Sequence, residues 1–341
     1  RQRQMCIRDS HGTHTAGIAS AVTNNINGVA GTSWNATIMG VCASDETSDR
    51  VIAYGFEGIV YAAENGADII SCSWGSLGGY SYFEQEVINY ATSLGCIVIA
   101  AAGNNSTDQS HYPSSYKNAL SIAGTNVDDE RYGSTNYGKD VDLAAPAVSI
   151  YSSFSDNTYG YATGTSMSAP MVSGAAGLVK TLNPDWNGLQ IGEQVRVTVD
   201  PITGEFGTLG RGRLNVYRAV SESSPSIRLT DYAFLDESGN GTIEPGERVN
   251  VYITVKNYLE LATNVQLTLS SNDPYVTISQ SEISVSSITT LESVEPEVPY
   301  ICDIAENAPS NHVIEFVLEI STNEYNDVDY LDMTVLPGYL N

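Results

Sequence analysis

Between residues 11 and 220, short apolar runs alternate with stretches of helical spacing. Residues 37–43 (TIMGVCA) read as a buried strand. Apolar residues at Val51, Ile52, Phe56, Ile59 and Val60 predict a helix over 51–65, stopped by Gly66. Residues 68–73 (DIISCS) read as a strand, 82–94 as a helix closed by Gly95, and 96–102 (CIVIAAA) as a strand. Residues 120–124 and 141–144 are shorter strands. Residues 166–182 form a helix that is apolar nearly all round and rich in Ala and Gly, hence buried and closely packed. Continuous apolar strands alternating with helices predict a parallel sheet covered by helices on both faces.

After Ser221 the period changes. Residues 227–234, 248–257, 265–270, 313–321 and 330–335 show near-alternation of apolar and polar positions, with Asn, Asp, Gly and Pro between them. An antiparallel β-sandwich of about 110–120 residues is expected there. The fold class is therefore α/β with an appended all-β module. The divisions expected are a leader over 1–10, an α/β domain over 11–222 and a sandwich over 223–341.

Charge supports that boundary. The chain has 341 residues and a formal charge of −25. Residues 221–341 hold 3 basic and 20 acidic residues, against 12 and 20 in residues 1–220. A negative field repels phosphate backbones, so nucleic acid is excluded as a partner. No stretch approaches 18 consecutive apolar residues, so no membrane span is expected. The acidic second domain is a candidate for binding an unidentified surface or partner. The five cysteines (Cys6, Cys42, Cys72, Cys96, Cys302) are odd in number and lack metal-like spacing. Cys42, Cys72 and Cys96 lie in apolar runs and read as small buried hydrophobes. Residues 1–8 (RQRQMCIR) carry three of the fifteen basic residues without periodicity and read as a foreign leader on a truncated gene.

Three motifs follow in order: His11-Gly12-Thr13-His14-Thr15-Ala16-Gly17, then Ala101-Ala102-Gly103-Asn104, then Gly164-Thr165-Ser166-Met167-Ser168-Ala169-Pro170. They suit acyl transfer. A serine hydroxyl needs a base to take its proton, and histidine has the right pKa near neutrality. A serine opening a helix has its own N–H among the orphan donors, where the dipole favours developing negative charge. An asparagine at a strand end can donate a second hydrogen bond. Gly164 allows close approach before the turn, and Pro170 is expected within the first helical turn. His14 reads as a packed helix residue.

These motifs resemble those of the subtilisin-like serine peptidases. The resemblance extends through ENGADIISCSWGS (64–76), YPSSY (112–116), VDLAAP (141–146) and GRLNVYRAV (212–220), covering nearly all of 11–220. It implies a secreted, extracellular serine endopeptidase working through an acyl-enzyme. His11 would be general base and acid, Ser166 nucleophile and Asn104 side-chain oxyanion donor. Ser73, Trp74 and Gly75 would pair with extended substrate. Ala101, Ala102 and Gly103 would wall the P1 pocket. Tyr112-Pro113 would be cis, placing His111 near the pocket base; a solvated loop histidine is the alternative. The family's triad aspartate stands upstream of the histidine in a D-T/S-G context, and Asp9 is too near in sequence to replace it. The polypeptide as given is expected to be nearly inactive, and its natural full-length form active. Residues 23–29 (TNNINGV) resemble the family's calcium loop, with Asn25 as a ligand, although a solvent loop is also open.

A second calcium signal lies at 236–247 (DESGNGTIEPGE). Asp236, Ser238, Asn240, the Thr242 carbonyl and Glu247 match the spacing of a twelve-residue calcium loop, with Gly241 at its sixth position. Pro245-Gly246 forbid an exiting helix, so the loop would join two strands; a plain Asp/Gly turn is the alternative. This part resembles Ig-like modules appended to secreted bacterial enzymes. The competing functional class is a non-catalytic binding or adhesion protein whose peptidase domain is degenerate.

Overall fold

A computed structural model of the chain describes residues 10–44, 51–205 and 207–336. The leader and Asp9 lie outside the described residues. The chain divides into two compact units between Glu222 and Ser223.

The first unit contains α1 (Ser10–Ser20), α2 (Gly55–Glu64), β1 (Ile69–Cys72), β2 (Ser76–Leu77), α3 (Tyr82–Ser93), β3 (Ile97–Ala101), β4 (His111–Tyr112), β5 (Ala119–Thr125), β6 (Leu143–Pro146), β7 (Ile150–Phe154), β8 (Thr158–Ala162), α4 (Thr165–Leu182), α5 (Gly188–Val197) and α6 (Val216–Ser221). β1, β3, β5 and β6 form a parallel sheet in the order β1-β3-β5-β6. Strand period explains how two cores share it. Ile97, Ile99 and Ala101 face Ala169, Val172, Val179, Ile191 and Val195 of α4 and α5. Their neighbours Val98 and Ala100 face Ile59 and Ala62 of α2 and Val87, Ile88 and Ala91 of α3. With helices on both faces, a strand can be apolar at every position, as β3 is.

The second unit is antiparallel. It contains β9 (Ile227–Asp236), β10 (Arg248–Asn257), β11 (Ala262–Ser270), β12 (Val276–Gln280), β13 (Glu282–Ile288), β14 (Ser293–Val294), β15 (Tyr300–Ile304), β16 (His312–Ser321) and β17 (Asn326–Val335). One sheet joins β12, β15, β10 and β14, with β9 on the other edge of β10; the second runs β13-β11-β16-β17. Alternate residues of facing strands are buried, as in Val249, Val251, Ile253 and Val255 of β10 and Ile314, Phe316, Leu318 and Ile320 of β16. Tyr300 Oη donates to the Leu267 carbonyl across the sheets at 3.1 Å, and Phe234 meets Phe316 with ring centroids 6.0 Å apart. The parallel sheet with its helices and the antiparallel sandwich agree with the expected architecture.

Three expectations need correction. Residues 37–43 form no strand and are largely exposed, because among the described residues no partner strand takes their N–H and C=O groups. Cys42 is accordingly exposed, while Cys72, Cys96 and Cys302 are buried. Pro170 is the sixth residue of α4, beyond its first turn. Among the described residues no helix is long and apolar enough to cross a membrane.

Candidate active site

Asn104 and Ser166 meet where the carboxyl ends of β1 and β3 approach the start of α4, the end of a parallel sheet where crevices form, while His11 stands on α1. Gly164 caps α4 with φ 143°, a conformation open to glycine and hostile to a side chain. A Cβ there would also lie 3.2 Å from Asn104 Oδ1. That closeness lets Asn104 Oδ1 accept the Thr165 N–H at 3.0 Å, one residue before Ser166. With Oδ1 committed, the Nδ2 group is the part of Asn104 left to donate.

Ser166 is half-buried at the second position of α4. Its Oγ donates to the Ser73 carbonyl at 3.3 Å, and Ser73 Oγ donates to the Ser166 carbonyl at 2.8 Å. The second bond follows from the sequence. Pro170 has no N–H, so the Ser166 carbonyl loses its partner four residues on, and Ser73 supplies one.

His11 stands exposed in the first turn of α1. Two sets of contacts hold α1, one to a hairpin and one to α4. The β7–β8 hairpin, which leads directly into α4, grips the N-terminal half of α1. Ser152 Oγ donates to the His14 carbonyl at 2.9 Å, Ser153 Oγ to the Thr13 carbonyl at 3.2 Å, and Ser10 and Ser155 hydroxyls meet at 2.9 Å. Further along, a Cβ on Gly174 would lie 2.8 Å from the Ala19 carbonyl. His14 is fully buried against Phe154, as its reading as a packed residue requires.

The flanking segments also converge. Ser73, half-buried Trp74 and Gly75 follow β1; Ala101, Ala102 and Gly103 are buried at the end of β3. The Gly103 N–H donates to Thr165 Oγ1 at 3.3 Å. The Tyr112–Pro113 bond is cis. His111 is buried rather than solvated, at 6% exposure. Burial lowers its pKa from 6.5, against a smaller opposing effect of the Ala101 carbonyl, which accepts a ring hydrogen bond.

Two loops carry the calcium expectations. In the first, Asn25 Oδ1 accepts the Asn27 N–H at 3.1 Å, in an exposed turn. In the second, the Asp236 carboxylate accepts Ser238 Oγ at 2.6 Å, the Asn240 N–H at 2.8 Å and the Gly241 N–H at 3.1 Å. These contacts hold its pKa below the usual carboxylate value, with Ser238 the main cause. Asn240 Oδ1 accepts the Thr242 N–H at 2.7 Å, and Glu247 Oε2 accepts the Glu244 N–H at 2.9 Å. Among the described residues, no three His, Cys, Asp or Glu side chains are gathered as a metal cluster.

Fold and relatives together define a subtilisin-like serine protease. Residues 6–212 match the sequence model of the Subtilase family, and the chain belongs to that family. Thermitase of Thermoactinomyces vulgaris is 41% identical over 212 residues, which are 62% of this chain and 75% of that protein. The thermophilic serine proteinase of Bacillus sp. (strain AK1) is 37% identical over 213 residues, 62% of this chain and 52% of that protein. A solved protease from Pseudoalteromonas arctica superposes with a TM-score of 0.56 at 32% identity, covering 62% of this chain and 70% of that one.

Proposed function

We propose that the chain hydrolyses peptide bonds of proteins through an acyl-enzyme on Ser166. The observation that carries this reading is the Asn104 Oδ1 to Thr165 N–H bond, which fixes an amide donor beside the helix start that bears Ser166. Ser166 Oγ attacks the scissile carbonyl carbon and its proton passes to His11. The oxyanion takes hydrogen bonds from Asn104 Nδ2 and the Ser166 N–H. Collapse breaks the C–N bond, and His11 returns the proton to the leaving amine. Water, deprotonated by His11, then frees the acid.

Ser73–Gly75 and Ala101–Gly103 flank the substrate backbone, adding main-chain hydrogen bonds that tolerate many sequences. A carboxylate orienting His11 completes such a site. The test is mass spectrometry of a denatured protein substrate. New termini are expected with the wild type and none with Ser166→Ala; identical products from both would overturn the reading.

The same reading carries an extracellular location, which fractionation of the source culture tests. It also includes calcium in the 236–247 loop. Asp236, Ser238, Asn240, the Thr242 carbonyl and Glu247 offer only oxygen, the donor that a hard cation prefers.

A further inference from the structure

Inside an α-helix each carbonyl already accepts the N–H four residues on. The hydroxyls that reach α1 from β7 therefore fill no vacancy. Ser152 Oγ donates to the His14 carbonyl at 2.9 Å and Ser153 Oγ to the Thr13 carbonyl at 3.2 Å, each on a lone pair that the helix leaves over. Ser152 is fully buried. α1 needs neither bond to be a helix; what they fix is the place of α1 on the hairpin.

His14 makes the same attachment from the other side. Its Nε2 donates to the Gly160 carbonyl of β8 at 3.3 Å, and its ring packs on Phe154 of β7 with centroids 4.7 Å apart. Gly17 leaves the room for this contact, since a Cβ there would overlap both serine hydroxyls. His14 follows His11 by three residues, which makes the two neighbours on the helix surface. A turn or tilt of α1 on the hairpin would carry the His11 ring with it.

The same hairpin leads to Ser166. The Ser149 N–H donates to Thr163 Oγ1 at 2.9 Å, the Gly164 N–H to the Ala147 carbonyl at 3.0 Å and the Thr165 N–H to Asn104 Oδ1 at 3.0 Å. Every residue between β8 and Ser166 is thus held. His11 and Ser166 lie far apart in the sequence, yet both are referred to one hairpin.

We infer that the β7–β8 hairpin positions His11 for Ser166, with Ser152 as the chief positioning residue. This rests on reading Ser166 as the nucleophile and His11 as its base. Ser152 touches no reacting atom and acts through His11. Proton transfer needs hydrogen-bond reach, and a misplacement of about 1 Å can cost about 10²-fold. Without Ser152 Oγ, α1 keeps its own hydrogen bonds but gains freedom on the hairpin.

The rate of fluorophosphonate labelling at Ser166, followed by peptide mapping of the full chain, tests this. Ser152→Ala is expected to slow labelling at least about tenfold, in protein that urea titration shows to be folded. In a His11→Ala background, Ser152→Ala is expected to add no further loss, because the residue it acts through is gone. Should Ser152→Ala fail to fold, Ser153→Ala is read in the same way. No adduct on the wild type overturns the hydrolase reading, and this role with it. An adduct whose rate ignores His11 or the serine, or falls equally in both backgrounds, overturns the positioning role alone.

Discussion

Ser73 and Ser166 exchange hydrogen bonds: each hydroxyl donates to the other's carbonyl, at 2.8 and 3.3 Å. The pair joins the end of β1 to the start of α4, and Pro170 makes it necessary by withholding the helix N–H from the Ser166 carbonyl. Ser73→Ala should cost about 1–3 kcal/mol, the range for a part-buried acceptor left unpaired. Pro170→Ala restores an N–H, so the double variant should recover part of that loss. Urea denaturation of the four proteins checks it; additive losses would show that Ser73 and Pro170 act independently.

On the proposed reading, Asn104 would contribute to the transition state more than to binding. Asn104→Ala should lower kcat by about 10²–10³ with KM little changed, the size known for the oxyanion asparagine of subtilisin itself. Steady-state kinetics with a peptide p-nitroanilide checks this. A rise in KM at constant kcat would place Asn104 in ground-state binding.

His111 should make the fold acid-sensitive. Burial holds its folded pKa below the unfolded 6.5. As pH falls, the unfolded chain therefore binds the proton first. The stability this group contributes is fully present above about 6.5 and is lost progressively as pH drops through the folded value. His111→Gln cannot titrate there, so its urea midpoint should fall less than the wild type between pH 7.5 and 5. Parallel curves would contradict the buried, neutral imidazole.

The Asp236 loop should bind calcium. Isothermal titration is expected to show heat of binding for the wild type, none for Asp236→Ala and weaker binding for Glu247→Gln. Equal binding by the wild type and Asp236→Ala would reduce the loop to a turn.

Much of this was legible because local pattern and tertiary role agree. β3 and α4 are apolar in the sequence since each is enclosed on several sides. β10 alternates since only one of its faces is buried. Failures trace to particular residues. Residues 37–43 have a strand's composition, yet pairing rather than composition decides a strand. α5 escaped notice because Gln190, Glu193, Gln194 and Arg196 are buried, the last paired with Glu193 at 2.7 Å, so polarity hides its helical period. The β7–β8 hairpin that grips α1 is built from Ser, Tyr and Gly with its Tyr side chains outward, leaving no apolar stripe to read. The motifs placed His11, Asn104 and Ser166 in their elements. The burial of His111 depended on Gly75 and Gly103, whose small size signals close approach only once their neighbour is known.

Fluorophosphonate labelling read by peptide mapping tests the central claim most directly. The account predicts a single adduct on Ser166, absent from Ser166→Ala and strongly slowed in His11→Ala. No adduct on the wild type, or one that persists unchanged when either residue is replaced, would contradict it.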